Sequence, residues 1–230
     1  MKSSLRAFLF DFDGVIADSE PIHLAMFQKV LTEEGLSLDR ETYYEKYLGL
    51  DDRSFFEAFY KENGNPLSRE KNEDLILRKN QLLLSETRNK SLLLPGVRAF
   101  LEQVKGKYYF AIVSGALRNE IEAILNASGL SDHFQVIVGA DDVSEGKPHP
   151  EGFLQAIRLL NRDFVPASEI LLPEECLAID DSPWGLTAAR KAGAKCLAVE
   201  TSYPKEKLTE ADLVISNLLA ARLEELEKLF

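Results

Sequence analysis

The sequence predicts an α/β fold, in which a doubly wound, mostly parallel sheet is interrupted by an inserted all-α domain. Short apolar runs alternate with helical patterns along most of the chain, as expected for successive strand–helix units of a parallel sheet. One stretch, from about Glu20 to Asn89, has helical patterns but no strand pattern. The length of 230 residues accommodates one sizeable α/β domain with a smaller insert.

Six apolar runs are predicted as strands of the core. They are rich in Val, Ile, Leu and Phe with little alternation, which suits strands covered by helices on both faces. Pro95 marks the beginning of one intervening helix and Gly129 the end of another, which supports a Rossmann-like core. The strands are 6–13, 108–115, 134–141, 176–182, 195–200 and 211–216, and the helices are about 96–105, 117–128, 150–161, 183–192 and 218–229.

The inserted region contains four helical stretches separated by turn residues such as Gly35 and Gly49. We therefore predict a core domain of residues 1–18 and 93–230 and a helical domain of residues 19–92. The four stretches are about 20–35, 39–47, 51–62 and 68–88.

Charge and composition restrict the classes of partner. The net charge of -11 and the pI near 4.9 argue against nucleic acid or an anionic membrane held by bulk charge. No apolar run approaches the roughly 18 residues of a spanning helix, and Arg6 and Asp11 interrupt any signal-like stretch. Cys176 and Cys196 are predicted as buried free thiols without zinc-site spacing. We expect a cytoplasmic protein and a monomer.

Chemically active side chains follow four of the predicted strands. Ligands of open α/β sheets bind beyond the carboxyl ends of the strands. Carboxylates there can bind a divalent metal and supply a nucleophile, while a hydroxyl and a lysine can hold phosphate oxygens. The set is therefore typical of phosphoryl transfer. It consists of Asp11 and Asp13, Ser114 and Gly115, Lys147, and Asp180 and Asp181.

Each of these residues also has a purely structural interpretation. Paired acidic residues after a strand are commonly turn or helix-capping devices, as Asp180 and Asp181 could be. Ser114 could start a helix, and Lys147 could be a solvated loop lysine. Their order, with each piece in its own strand–turn context, favours the functional interpretation. Trp184 is predicted to pack the following helix on the sheet.

The four pieces resemble the haloacid dehalogenase superfamily of phosphotransferases. The matching segments are DFDGV (11–15), IVSG (112–115), GKPHP (146–150) and IDDS (179–182). The resemblance covers essentially the whole chain, and the insert falls where the C1-type cap of that superfamily lies. The branch that looks most similar is that of the β-phosphoglucomutases and phosphoglycolate phosphatases, through DGVIADSEPIH (13–23), LPGV (94–97) and DDSPWGLTAARKAGA (180–194).

The resemblance implies roles for the carboxylates. Asp11 would attack phosphorus and form an aspartyl-phosphate. Asp13 would protonate the leaving oxygen and then activate the water or acceptor hydroxyl, which excludes the carbon-directed dehalogenases of the superfamily. Mg²⁺ would be held by Asp11, the backbone carbonyl of Asp13, Asp181 and, through water, Asp180. Ser114, Gly115 and Lys147 would contact the substrate, with Ser114 and Lys147 holding the transferring phosphoryl oxygens.

The cap offers further candidates for substrate contact. His23 lies about one helical turn from Ser19, and Lys79 with Asn80 matches a lysine–asparagine pair of the β-phosphoglucomutases. Arg53 lies one residue further from its glycine than the corresponding arginine of those mutases. Arg118 opens a helix beside the site. For each of them, a solvated helix face or, for His23, a position between the domains is the alternative.

Three functions remain open at this point. The expected one is a Mg²⁺-dependent phosphatase that acts on a small phosphorylated metabolite, such as a sugar phosphate. A β-phosphoglucomutase-like phosphomutase would use the same nucleophile but pass the phosphoryl group to a sugar hydroxyl instead of water. His23 and Lys79 favour the mutase, whereas Arg53 and the segment SGALRNE (114–120) favour the phosphatase. A catalytically inactive metabolite-binding protein is disfavoured, because every expected catalytic residue type is present.

Overall fold

Six parallel strands form one sheet in the computed structural model, which describes residues 4–88 and 90–230. The order β3-β2-β1-β4-β5-β6 confirms the predicted doubly wound α/β fold. The first three residues of the predicted core and Asn89 of the predicted insert lie outside the described residues. The strands are β1 (Ala7–Phe10), β2 (Tyr109–Val113), β3 (Val136–Val138), β4 (Cys176–Asp180), β5 (Lys195–Val199) and β6 (Leu213–Ile215).

The centre of the sheet is the pair β1 and β4. In their register Phe10 lies opposite Ile179, and on its other side β1 pairs with β2. The chain crosses from β1 to β2 in one direction and continues outward from β4 to β5 in the other. This reversal creates a crevice at the carboxyl ends of β1 and β4, which is where ligands bind in such sheets. Asp11 and Asp180 therefore lie at the switch point.

Four helical segments follow β1 before the chain returns to the sheet. Asp39, Asp51 and Ser68 begin the second, third and fourth by accepting hydrogen bonds from backbone amides of the first turn. The predicted stretch at 39–47 is only one α-turn that continues as a π-helical turn. The segments are α1 (Glu20–Glu33), α2 (Arg40–Thr42) with the π-turn Tyr43–Tyr47, α3 (Asp52–Glu62) and α4 (Arg69–Thr87).

This helical insert has an aromatic core of its own. The rings of Phe27 and Phe55 are 3.9 Å apart between centroids, and Tyr43, Tyr47 and Phe59 surround them. Aromatic side chains bury large apolar areas, so a small helical unit can be stabilised by few residues. The insert therefore has a hydrophobic core distinct from those that pack on the sheet.

The two connections to the insert run side by side. The Asp18 amide donates to the Leu92 carbonyl at 2.8 Å, and the Leu94 amide donates to the Ile16 carbonyl at 3.0 Å. Backbone pairing of this kind marks a short two-stranded hinge between two packed units. It supports our proposal that the insert extends from residue 19 to residue 92.

Helices cover both faces of the sheet. One face packs against α5 (Val97–Val104) and α6 (Arg118–Ala127), and the other packs against α7 (Glu151–Asp163) and α8 (Pro183–Ala192). Both cysteines are buried and free, as predicted. Within the described ranges, no helix combines the length and apolar character needed to cross a membrane.

The C-terminal helix is shorter than the sequence predicts. Instead of one helix over 218–229, a 3₁₀ turn at Leu218–Ala220 precedes a short α9 (Leu223–Glu227). The Asn217 side chain accepts a hydrogen bond from the Leu219 amide, and Ala221 then adopts an extended conformation. Leu218 and Leu226 are both buried in the same core, so tertiary packing decides the break.

Candidate active site

The turn after β1 presents two carboxylates to the same crevice. Asp11 and Asp13 point towards the switch point, and Phe12 between them is fully buried in the core, as alternation along an extended segment requires. Gly14 follows with a φ of 76°. A Cβ atom at this position would lie 1.9 Å from Asp181 Oδ2, so the turn can approach that carboxylate only with glycine.

The ammonium group of Lys147 lies between the carboxylates at the carboxyl ends of β1 and β4. Its Nζ atom lies 2.7 Å from Asp11 Oδ1 and 2.7 Å from Asp180 Oδ2. Burial opposes the charge of this lysine, but the two carboxylates outweigh that effect and raise its pKa above the usual range. Asp180 is held in place because its Oδ1 accepts from the Ser182 amide at 2.9 Å and from the Ser182 hydroxyl at 2.7 Å. The lysine is therefore a fixed cation beside Asp11.

Asp11, Asp180 and Asp181 form a cluster that suits a divalent cation. One carboxylate oxygen from each lies within 4.8 Å of the others. Asp181 Oδ2 is buried and has no hydrogen-bond partner in the described part of the chain. Burial raises the pKa of Asp11 to about 8 and that of Asp181 well above its usual range. Burial and mutual repulsion thus favour the protonated forms of these carboxyls, and a bound Mg²⁺ would favour their ionised forms.

Asp13 has a different environment from Asp11. It accepts a short hydrogen bond from the Ser19 hydroxyl, and its oxygens lie 3.6 Å from His23 Nε2 and 3.4 Å from the Ser114 hydroxyl. Burial opposes its ionisation, but the hydrogen bonds from His23 and Ser19 outweigh it, and the pKa of Asp13 is lowered. Without a bound cation, Asp11 therefore holds a proton more tightly than Asp13, and a divalent cation at the Asp11 carboxylate would lower the pKa of Asp11.

A buried polar cluster connects the insert with the core next to Asp13. Lys79 Nζ lies 2.8 Å from His23 Nδ1, 2.9 Å from Asp52 Oδ1 and 3.2 Å from Glu120 Oε1, and its side chain is fully buried. An ammonium group only donates, so Nδ1 of His23 is the acceptor and its Nε2–H faces Asp13. Glu120, on α6 of the core, also accepts from Asn80 at 3.2 Å.

Not every predicted contact residue reaches the carboxylates. Lys79 is occupied in the buried cluster and does not line the cavity above Asp11. Arg118 donates to Asp142 Oδ2 at 2.7 Å and lines the neighbouring cleft instead of the cavity. Arg53 lines a neighbouring cleft and is absent from the cavity lining. The structure therefore brings together Asp11, Asp13, Lys147, Asp180 and Asp181, with His23 beside them.

The cavity lies between the strand ends and the insert. It encloses about 70 Å³ and adjoins an open cleft of about 870 Å³. Gly115 is in its wall, whereas Ser114 lies behind it with its hydroxyl accepting from the Ala116 amide at 3.0 Å. The lining also includes polar residues that were not predicted as site residues, namely Glu20, Tyr43, Asp51, Asp52, Ser202 and Tyr203. Glu20 lies in the segment DGVIADSEPIH, but no motif marks the others, because they come from the insert and from the loop after β5.

The environment of Trp184 also differs from the predicted one. Its side chain is 44% exposed and lies against the insert, where a Cβ atom at Gly49 would be 3.3 Å from the indole Cδ1. Nearby, the Tyr203 hydroxyl donates to the Leu48 carbonyl at 3.0 Å. The first turn of α8 and the loop after β5 therefore contact the insert, and Trp184 is not buried on the sheet.

Fold and site together define a class of protein. A doubly wound sheet with paired aspartates after β1, a lysine after β3 and two aspartates after β4, beneath a helical insert, is built for chemistry on a phosphoryl group. Residues 5–193 match the model of the haloacid dehalogenase-like hydrolases. The chain belongs to this family, and it is an enzyme of the phosphatase and phosphotransferase type.

Similar proteins point to the same branch. The protein CbbY of Rhodobacter capsulatus is 30% identical over 236 residues, covering 98% of this chain and 99% of that protein. A phosphoglycolate phosphatase of Aquifex aeolicus is 30% identical over 217 residues, covering 92% of each chain. The crystal structure of a β-phosphoglucomutase from Clostridium difficile superposes with a TM-score of 0.85 at 26% identity, covering 97% of this chain and 96% of that one.

Proposed function

We propose that the protein is a Mg²⁺-dependent phosphatase that hydrolyses a small phosphorylated metabolite, such as a sugar phosphate, through an aspartyl-phosphate. The observation that carries this proposal is the position of Asp11 at the switch point of the sheet, 2.7 Å from Lys147 and within the carboxylate cluster. A carboxylate in that position can attack phosphorus while adjacent charges hold the phosphoryl oxygens.

In the first step, an Asp11 oxygen forms a bond to phosphorus and the bond from phosphorus to the leaving oxygen breaks. Asp13 gives its proton to that oxygen, so the product alcohol leaves neutral. Asp13 is a carboxylate in the free site, and the negative charge of the bound phosphoryl group raises its affinity for the proton it needs. The phosphoryl group is then carried by Asp11.

In the second step, Asp13 accepts a proton from water as the water oxygen attacks phosphorus. The bond from phosphorus to Asp11 breaks, and inorganic phosphate and the free carboxylate result. Lys147 holds the phosphoryl oxygens in both steps, and Ser114 would join it only after moving from behind the cavity wall. Asp11, the Asp13 carbonyl, Asp181 and, through water, Asp180 would hold Mg²⁺, which supplies positive charge to the transferring group when it is bound.

A phosphomutase is the second candidate. Two contacts favour the mutase, that of Asp13 with His23 and that of His23 with Lys79, because together they link the acid/base group to the insert. Such a link can couple closure of the insert to exclusion of water, which decides whether a sugar hydroxyl replaces water as acceptor. The similarity to β-phosphoglucomutases supports the same alternative.

The two candidates differ in the fate of the phosphoryl group. We expect purified protein with Mg²⁺ to hydrolyse p-nitrophenyl phosphate and to release phosphate from members of a panel of sugar phosphates. Conversion of β-glucose 1-phosphate to glucose 6-phosphate with little free phosphate would instead establish the mutase. Asp11→Asn is the matched control, because it keeps the shape of the side chain and removes the nucleophile.

We further propose that the enzyme works as a cytoplasmic monomer on a small molecule. The buried free thiols of Cys176 and Cys196 suit a reducing compartment, and the net charge of -11 does not suit nucleic acid. Size-exclusion chromatography with light scattering measures the mass in solution and so tests whether the protein is a monomer. A stable dimer would contradict that part of the proposal.

A further inference from the structure

The insert-facing wall of the cavity is acidic. Glu20 at the start of α1, and Asp51 and Asp52 at the start of α3, line it opposite the catalytic turn. They are additional to Asp11, Asp13 and Asp181, which serve the reacting phosphoryl group and the metal in the function proposed above. The part of a substrate that extends from the phosphorus towards the insert therefore meets three further carboxylates.

The basic side chains that line the cavity already have partners within the protein. Among the described residues that line the cavity, the basic side chains are Lys147 and His23. Lys147 is paired with Asp11 and Asp180 at 2.7 Å each and serves the reacting phosphoryl group. His23 uses Nδ1 to accept from Lys79 and directs Nε2 towards Asp13. Neither is available to a second anionic group of the substrate.

Three nearby cations are directed elsewhere. Lys79 is fully buried between Asp52, Glu120 and His23, and Arg118 is bound to Asp142. Arg53 lines only the adjoining cleft. A substrate with an anionic group in the cavity, a few bonds from its phosphate, would therefore place that group near Glu20 and Asp51, which form no ion pair among the described residues. Such a position is unfavourable inside a partly desolvated site.

The same wall offers acceptors to a hydrogen-bond donor. Asp52 Oδ2 is buried and has no hydrogen-bond partner among residues 4–88 and 90–230, while its Oδ1 is 2.9 Å from Lys79. Asp51 lines both the cavity and the cleft, so it faces the path between them. A buried acceptor without a donor is costly, and a substrate hydroxyl or ammonium group that reached Asp52 Oδ2 would satisfy it.

We infer that the substrate is a phosphate monoester whose leaving group is neutral and hydroxylated, or cationic, and carries no second anionic group close to the phosphate. This inference rests on the proposed function and narrows it. It separates the protein in specificity from the phosphoglycolate phosphatase to which it is similar, since glycolate is a carboxylate, and it disfavours bisphosphates.

Three substrates of equal length test the inference. They are 2-phosphoglycolate, 2-hydroxyethyl phosphate and phosphoethanolamine, whose leaving groups end in a carboxylate, a hydroxyl and an ammonium group. We expect kcat/KM for the hydroxyl and the ammonium compounds to exceed that for phosphoglycolate at least about tenfold at pH 7. Inhibition constants against p-nitrophenyl phosphate hydrolysis should follow the same order if turnover of these small compounds is slow.

A charge-removing variant tests the cause. Glu20→Gln with Asp51→Asn keeps the acceptor for Tyr43 and the cap of α3, since asparagine caps helices as well as aspartate. We expect this double variant to reduce the discrimination against phosphoglycolate to less than about threefold. The matched control is Glu45→Gln, which removes an exposed carboxylate of the insert that does not line the cavity and should leave the ratio unchanged.

The outcomes separate this inference from the proposed function. Equal or better use, or equal or tighter binding, of phosphoglycolate by an enzyme that hydrolyses p-nitrophenyl phosphate would overturn the inference and leave the phosphatase intact. A double variant with unchanged discrimination would also overturn it. Absence of Mg²⁺-dependent hydrolysis of every phosphate ester tested would refute the phosphatase itself.

Discussion

Replacing Lys79 with methionine is expected to destabilise the protein strongly. The ammonium group is fully buried and lies 2.8 Å from His23 Nδ1, 2.9 Å from Asp52 Oδ1 and 3.2 Å from Glu120 Oε1. Methionine has a similar volume but leaves the buried carboxylate of Glu120 and the partly buried one of Asp52 without their cation. An unpaired buried charge typically costs about 3–5 kcal/mol, which corresponds to a fall in Tm of about 6–20 °C for a chain of this length.

The loss should depend on pH in a defined direction. Burial already raises the pKa of Glu120, although Lys79 opposes the rise. Without Lys79, the pKa of this carboxyl rises further, and a protonated carboxyl is less costly to bury than a carboxylate. The difference in unfolding free energy between the wild type and Lys79→Met should therefore be smaller at pH 5 than at pH 8.

Thermal and urea unfolding at the two pH values measure both effects. Lys46→Met is the matched control, because Lys46 belongs to the same insert and pairs with Glu62 at 2.9 Å but is half exposed. Exposed pairs contribute at most about 1 kcal/mol, so this control should lose no more than that. Equal losses for the two variants, or a Lys79→Met deficit that is the same at pH 5 and pH 8, would refute the reasoning.

Four further predictions concern the catalytic turn. Asp11→Asn should abolish phosphatase activity and incorporation of ³²P into the protein. Retained activity would show that Asp11 is not the nucleophile. Mg²⁺ at about 100 times its Kd should stabilise the wild type by about 2.7 kcal/mol, and Asp181→Asn should lose most of the accompanying rise in Tm. Gly14→Ala should cost at least about 1–2 kcal/mol in urea unfolding through the positive φ alone, and it should also weaken Mg²⁺ binding because the new Cβ meets Asp181 Oδ2. Hydrogen bonds from His23 and Ser19 outweigh burial and lower the pKa of Asp13 in the folded protein. Ionised Asp13 therefore stabilises the fold at pH values above about 3.8, the pKa of this side chain in the unfolded chain, and this stabilisation is lost as the pH falls through the pKa of the folded state. In Ser19→Ala the loss should begin at a higher pH, and ¹³C NMR titration of the Asp13 carboxyl would show whether it does.

The carboxylates of the candidate site could be predicted because their signals are local. Asp11 and Asp13 lie within three residues of the end of β1, Asp180 ends β4 and Asp181 follows it, so periodicity and residue type suffice to place them at one edge of a sheet. Lys147 is different, because nine positions and a 3₁₀ turn at Ala140–Asp142 separate it from the last residue of β3. Its segment GKPHP could be recognised in the sequence, but the loop that carries it back to the strand ends could not.

The cap residues could not be placed in this way. Lys79 was selected as a candidate substrate contact, but its partners Asp52 and Glu120 are 27 and 41 residues away in the sequence, and only packing of α3, α4 and α6 brings them together. A lysine on a helix carries no signal of whether it faces solvent or three buried acceptors. Trp184 illustrates the same limit, since its exposure depends on where the insert lies over α8.

The sequence by itself determined the alternation of strands and helices, the all-α character of the insert and the identity of the carboxylates and lysine at the strand ends. These properties depend on interactions between residues close in the chain, which hydrophobic periodicity and turn chemistry report. The tertiary structure alone decided which insert residues line the cavity. It placed Glu20, Asp51 and Asp52 in the cavity and Arg53 outside it, because the position of the insert over the sheet is fixed by contacts between distant parts of the chain.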